Sequence, residues 1–267
     1  MKKYKILVCD YDGTLINSNY VITPNTLSAI NGFIDRGGTL VVCTGRMTSG
    51  INNHVLKFGL KPIIASFNGA EIFDLKSGKV YFCKHIDNKT SISIIRFLEG
   101  LNLKVNAYSN YNYISSASDE KVARYSLATG VEAIRVKSVA DYLESSKEST
   151  AKIAVLDDVE IINKYFEIIK NQFPEFDVVR STREQIDICL KGISKGSAIS
   201  YIANLLNASV EDVLAVGDAD NDESMLKTAG FSVAMGNAFS RIKSICDYVT
   251  SSNEDDGIKE VIDKFCI

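Results

Sequence analysis

Asp10-Tyr11-Asp12-Gly13-Thr14-Leu15 follows directly on Ile6-Leu7-Val8-Cys9, so two carboxylates stand two residues apart where a short apolar run stops. A continuous run of four apolar residues reads as a buried strand, and Gly13 and Thr14 break it into a loop. In an open α/β sheet, ligands bind beyond the carboxyl ends of the strands. Two Asp at i and i+2 in that position can hold a hard cation beside a reacting oxyanion. The bland account is an acidic turn, because turns are rich in Asp and Gly, so the reading depends on what else the chain supplies.

Three further segments supply it. Thr39 to Cys43 reads as a second strand that ends in Thr44-Gly45-Arg46, where a hydroxyl and backbone N–H groups can grip phosphate oxygens. Ser194-Lys195-Gly196 opens an amphipathic stretch running to Leu206. That puts Lys195 in a first helical turn, where its charge opposes the helix dipole and calls for an anion. Val213 to Val216 leads into Gly217-Asp218-Ala219-Asp220-Asn221-Asp222, ahead of a helix around Met225 and Leu226. Capping accounts for one Asp there, not three.

Together, the run from Asp10 to Leu15, Thr44-Gly45-Arg46, Ser194-Lys195-Gly196 and the run from Gly217 to Asp222 resemble the four signature motifs of the haloacid dehalogenase superfamily of phosphotransferases. About 150 residues separate Thr44 from Lys195, a spacing similar to that of the Cof-type subfamily. The resemblance implies an α/β fold: a Rossmann-like core with a parallel sheet and helices on both faces, plus an inserted α/β cap domain. It also implies a Mg²⁺-dependent phosphomonoester hydrolase. Asp10 would attack phosphorus to form an aspartyl-phosphate, and Asp12 would serve as acid and base. The metal would be held by Asp10, the backbone carbonyl of Asp12 and Asp218, with Asp222 orienting a ligand water. The Tyr11 amide, Thr44, the Gly45 amide, Lys195 and Asn221 would hold the phosphoryl oxygens. Asp220 falls at a variable position of the motif and reads as solvated. Arg46, Asn68 and Arg183 are candidates for facing the substrate.

Residues that ionise together at one strand edge would repel strongly, and a divalent cation plus Lys195 would compensate them. Oxygen ligands do not choose Mg²⁺ over Mn²⁺; Mg²⁺ is named from the resemblance. The same resemblance points to small phosphorylated metabolites: sugar phosphates, nucleotides such as FMN, or pyridoxal phosphate. Two alternatives stand beside hydrolysis, a sugar phosphomutase and a non-catalytic regulator that binds a phosphometabolite. A nicotinamide-binding enzyme is excluded because no G-x-G-x-x-G follows the first strand.

Composition agrees. A chain of 267 residues exceeds the usual single core, and 46% apolar residues suffice for two. Net charge of −3 argues against a nucleic-acid partner. Met1-Lys2-Lys3-Tyr4-Lys5 precedes only four apolar residues, too few for a signal peptide or membrane span, so a cytoplasmic location is expected. Six Cys show no CxxC or CxxH spacing and read as reduced, mostly core residues, so zinc is not expected. His54 and His85 lie in no triad-like pattern and read as surface or packing residues.

The alternation of patterns divides the chain. Strand, helix, strand and strand are expected from Tyr4 to Phe67, with Thr23 as N-cap, Pro24 at the first helical position and Gly37-Gly38 as the stop. Glu71 to Asp74 and Lys79 to Cys83 flank a Lys76-Ser77-Gly78 turn and read as a hairpin. The core domain is expected over 1–84 and 190–267. An inserted cap over 85–189 would exclude water and select the leaving group. Within it the pattern gives helix, two strands, helix, a short helix near Tyr142, then strand, helix, strand and strand. The stretch Lys137 to Thr150, rich in Ser, Lys and Glu, reads as a surface loop rather than a linker.

Overall fold

The computed structural model describes residues 2–109 and 112–267. Up to Cys83 the chain forms β1 (Ile6–Cys9), α1 (Pro24–Asp35), β2 (Thr39–Cys43), α2 (Thr48–Lys57), β3 (Ile63–Ser66), β4 (Glu71–Asp74) and β5 (Val80–Cys83). There follow α3 (Asn88–Gly100), β6 (Val105–Ser109), β7 (Asn112–Ser115), α4 (Asp119–Thr129), β8 (Ala133–Arg135) and α5 (Val139–Ser146). Next come β9 (Lys152–Leu156), α6 (Val159–Gln172), β10 (Phe176–Thr182) and β11 (Gln185–Leu190). The chain closes with α7 (Lys195–Leu205), β12 (Val213–Gly217), α8 (Glu223–Thr228), β13 (Phe231–Ala234), α9 (Ser240–Lys243), β14 (Tyr248–Val249) and α10 (Gly257–Phe265).

The chain falls into two compact units. One comprises Met1–Gly45, Val55–Phe82 and Ser194–Ile267; the other comprises Arg46–His54 and Cys83–Ile193. Arg46–His54 goes with the second unit because Gly50 lies against Thr129 and Val131 there.

An eight-stranded sheet runs in the order β14-β13-β12-β1-β2-β3-β4-β5, parallel from β14 to β3 and turning antiparallel at β4. The strands β1, β2 and β12 are buried almost throughout, as unbroken apolar runs in a parallel sheet must be. Register then sets up the site: Cys9 lies opposite both Val42 and Val216, so the residues that follow β1, β2 and β12 share one edge.

Helix α1 begins as its sequence dictates. The Thr23 side chain accepts from the Thr26 N–H, Pro24 supplies a preset φ, and Ile30 and Phe33 face the core. Gly37, at φ +88°, ends it by turning the chain left-handed.

The second sheet has the order β10-β11-β9-β6-β7-β8. One face, from Val105, Ala107, Ile153, Val155, Ile186 and Ile188, packs in an apolar core with Ile94, Leu98 and Leu143. Strand alternation sends Asn106, Tyr108, Lys152 and Asp187 to the opposite face, where all four are buried. There Lys152 Nζ lies 3.0 Å from Asp187 Oδ2 and 4.7 Å from the Tyr108 ring centroid.

Three expectations need correction. Helix α2 intervenes where the sequence pattern passes straight from the second strand to the third. Its Gly50, Asn52 and Asn53 are poor helix formers, and burial of Ile51 and Val55 supplies the stability that propensity withholds. The stretch Lys137 to Thr150 is not a surface loop: it carries α5, whose Val139, Ala140 and Leu143 are buried under a polar composition. Strand β8 is an element the pattern does not announce, being only three residues long.

Among the described residues, no helix is long and apolar enough to cross a membrane. Cys9, Cys43, Cys189 and Cys266 are buried, whereas Cys83 is exposed, 3.5 Å from His85 Nε2.

Candidate active site

Asp10 is the first residue beyond β1, its N–H donating to the Val216 carbonyl of the neighbouring strand. The chain then folds into a tight turn in which the Tyr11 carbonyl accepts from the N–H groups of both Leu15 and Ile16. Gly13 sits at φ +76°, and a Cβ there would lie 2.5 Å from Asp218 Oδ2. Both the backbone conformation and the space therefore demand glycine. The approach lets Thr14 Oγ1 donate to Asp218 Oδ1 at 2.7 Å.

Lys195 occupies the first position of α7, whose Ser194 cap accepts from the Ser197 N–H while Ser197 returns the bond in a capping box. The side chain is fully buried, with Nζ 2.6 Å from Asp10 Oδ1 and 2.6 Å from Asp222 Oδ1. Asp222 Oδ2 accepts from the N–H groups of Asp218 and Ala219 at 2.9 and 3.0 Å, so Asp222 shapes the loop and anchors the lysine at once.

Carboxylate oxygens of Asp10, Asp218 and Asp222 all lie within 4.8 Å of one another. Burial would lower the Lys195 ammonium, but Asp10 and Asp222 outweigh it and hold the group well above the usual lysine range. Asp10 is driven well above the carboxylate range, by burial first and then by Asp222, against the pull of Lys195. Asp218 is pushed up to about 6, chiefly by burial and against the Thr14 hydrogen bond.

One ammonium against three carboxylates leaves the cluster short of positive charge. Oδ2 of Asp10 and Oδ2 of Asp218 accept no hydrogen bond among the described residues. Hard oxygen donors, crowded and under-neutralised, suit a cation such as Mg²⁺.

The remaining expected residues divide. Thr44 is buried just past β2, its N–H donating to the Ala65 carbonyl, with Gly45 beside it. Asn68, at φ +57°, brings its side-chain oxygen 3.2 Å from where a Gly45 Cβ would stand. Asp12 and Asn221 are exposed. Asp220 is exposed and paired with Arg241 at 2.8 Å. Arg46, which is buried, and Arg183, which is exposed, belong to the second unit.

Thr14 is a site residue that reading the motif for its carboxylates overlooks. Two more polar residues near the turn, Asn237 and Asn253, also escape the sequence reading. Asn237 follows β13, a fourth strand end at the same sheet edge, and that placement was the available signal.

A family model for haloacid dehalogenase-like hydrolases matches residues 7–262. The chain belongs to that family. It is 29% identical to phosphatase YwpJ of Bacillus subtilis, over 97% of this chain and 98% of the relative. It is 28% identical to 5-amino-6-(5-phospho-D-ribitylamino)uracil phosphatase YcsE of the same organism, over 97% and 94%. A crystal structure of a haloacid dehalogenase-like hydrolase from Bacteroides thetaiotaomicron superposes with a TM-score of 0.89 at 27% identity, covering 98% of this chain and 99% of the other. The haloacid dehalogenase-type α/β fold and a phosphatase class of activity are therefore properties of this enzyme.

Proposed function

We propose that the enzyme hydrolyses phosphomonoesters of small metabolites through an aspartyl-phosphate at Asp10. The observation that carries this reading is the buried Lys195 bridge, which fixes Asp10 beyond β1 and leaves its second oxygen for another partner. That oxygen attacks phosphorus in line: an Asp10 O–P bond forms as the bond to the leaving alkoxide breaks. Asp12 gives the alkoxide its proton. It then takes one from a water that attacks the aspartyl-phosphate, releasing inorganic phosphate and restoring Asp10.

Thr44, the Gly45 and Tyr11 amides, Lys195 and Asn221 hold the phosphoryl oxygens, and their main contribution is position and charge. A bound Mg²⁺, held by Asp10, the Asp12 carbonyl and Asp218, would neutralise the charge spread over the transferring group. Asp222 holds the Asp218 loop and Lys195 in register. Thr14 fixes which Asp218 oxygen turns toward the site.

The substrate belongs among sugar phosphates, nucleotides such as FMN, pyridoxal phosphate and, from the named activity of the YcsE relative, ribityl phosphates. Arg46, Asn68 and Arg183 remain the candidates for facing it. Phosphate release from such a panel, with Mg²⁺ or EDTA and with wild type or Asp10→Asn, tests the proposal. Turnover that requires both metal and Asp10 supports it. Isomerised product without phosphate release would replace hydrolysis by a mutase reaction.

A further inference from the structure

We propose that Asn237 and Asn253 are positioning residues that clamp the Gly13–Ile16 turn and thereby hold Asp12 in place for proton transfer. The inference rests on the function proposed above and adds to it two residues outside the four motifs.

The two amides form a relay. Asn237 Nδ2 donates to the Gly13 carbonyl at 2.8 Å, and Asn237 Oδ1 accepts from the Asn253 N–H at 3.1 Å. Asn253 Nδ2 then donates to the Ile16 carbonyl at 2.9 Å. Both ends of the turn are held by one neutral bridge.

The bridge itself is moored at several points. Around Asn237, the Met235 N–H donates to the Gly217 carbonyl and the Phe239 N–H to the Asp218 carbonyl, so this loop is tied to the strand end that carries Asp218. The Gly236 N–H donates to the Ser251 carbonyl, joining that loop to the segment bearing Asn253. Beyond Asn253 the same segment grips the chain leading into α1. Glu254 Oε1 accepts from the Ser18 N–H at 2.7 Å, and Asp256 accepts from Thr23, Asn25 and Thr26. The Asp12 turn and Asp218 are thus referenced to one scaffold, from the carbonyl side through Asn237 and from the hydroxyl side through Thr14.

Side-chain chemistry explains why asparagine stands at both positions. Each site needs an uncharged N–H donor toward a carbonyl, and position 237 also needs an acceptor on the same short side chain. A carboxylate at 237 would face the Gly13 carbonyl with no proton to offer and would add negative charge beside a cluster already short of cations. Asp12 heads the turn and bridges to Ile16 at its far end, so a shift of the turn's backbone carries Asp12 with it. Displacing a reacting group by about 1 Å costs on the order of 100-fold in rate.

The test compares Asn237→Ala, Asn237→Asp and Asn253→Ala with wild type. Tyr248→Phe serves as control: it removes the hydroxyl's bonds with Glu260 and Lys264, next to the segment bearing Asn253, and leaves every bond of Asn237 and Asn253 in place. The three Asn variants are expected to lose about 10- to 100-fold in kcat with KM changed less than about 2-fold, Asn237→Asp being the most impaired. Tyr248→Phe should keep wild-type kcat. In the metal-free proteins, amide exchange at Leu15 and Ile16 should quicken about 10-fold or more in the Asn variants and not in the control.

Wild-type kcat in the folded Asn variants, or an equal loss in Tyr248→Phe, overturns the inference. If wild type itself releases no phosphate, the proposed function fails, and the exchange data decide the clamp alone: unchanged exchange at Leu15 and Ile16 removes it.

Discussion

Each unit of the molecule buries one lysine against carboxylate, and the two arrangements differ in their charge balance. In the second unit Lys152 meets Asp187 one to one, and Gln185 Nε2 donates to the other Asp187 oxygen at 2.6 Å. In the first unit Lys195 stands against Asp10 and Asp222, with Asp218 alongside. A balanced pair is complete within the fold. A cluster with surplus negative charge is costly until something positive arrives, which is the part the proposed metal would play.

The largest effect that would break this contrast is on turnover. Asp10→Asn is expected to lower kcat by about 10⁴-fold or more, because the nucleophile disappears while the hydrogen-bonding shape survives. Metal-free stability should not fall with it, since a buried like charge is removed. Residual turnover near wild type would reduce Asp10 to a partner of Lys195.

Next comes Lys195→Met, which strips the cluster of its cation. In EDTA the first unit should lose about 3–5 kcal/mol in urea unfolding, with part restored by millimolar Mg²⁺. No response to Mg²⁺ would remove the surplus-charge argument.

Asp187→Asn sharpens the other side, leaving Lys152 buried without its counter-charge. A loss of about 3 kcal/mol, the same in EDTA and in Mg²⁺, is expected. The double variant Lys152→Met with Asp187→Leu should lose about 1 kcal/mol or less, because a balanced pair can be exchanged for apolar packing. A metal-dependent change here would blur the distinction between the two lysines.

The smallest effect concerns Glu260, a carboxylate supplied with donors in full. Lys264, Ser251 and Tyr248 hold it well below the glutamate range. A depressed carboxylate adds stability above its unfolded pKa and loses it as pH falls. Glu260→Gln should therefore cost about 1 kcal/mol at pH 7, and the gap from wild type should close as the pH drops through about 4 and below. Acid titration of both proteins by circular dichroism measures it; a gap that widens in acid would reverse the assignment.

How much could be read beforehand follows from what each feature depends on. Strands β1, β2 and β12 need only unbroken apolar runs ended by Gly, Thr or Asp, and the chain states those outright. Helix α2 depends on Ile51 and Val55 finding partners, which a segment carrying Gly50, Asn52 and Asn53 does not advertise. Asp10, Lys195, Asp218 and Asp222 were nameable because ordered motifs surround them, and their convergence follows from the register of parallel strands. Asn237 and Asn253 act through side-chain bonds to carbonyls hundreds of positions away in sequence, a relation that leaves no periodic trace.

The eight-stranded sheet is open at both edges, and the edges are unequal. β14 is only two residues long, too short to template another strand. β5 has four, with Val80 58% exposed, and charged Lys79 and Lys84 stand at its two ends. Those lysines act as gatekeepers against edge-to-edge pairing. Concentrated preparations of this enzyme will therefore be most prone to self-association along β5, and acetylating its surface lysines should promote it.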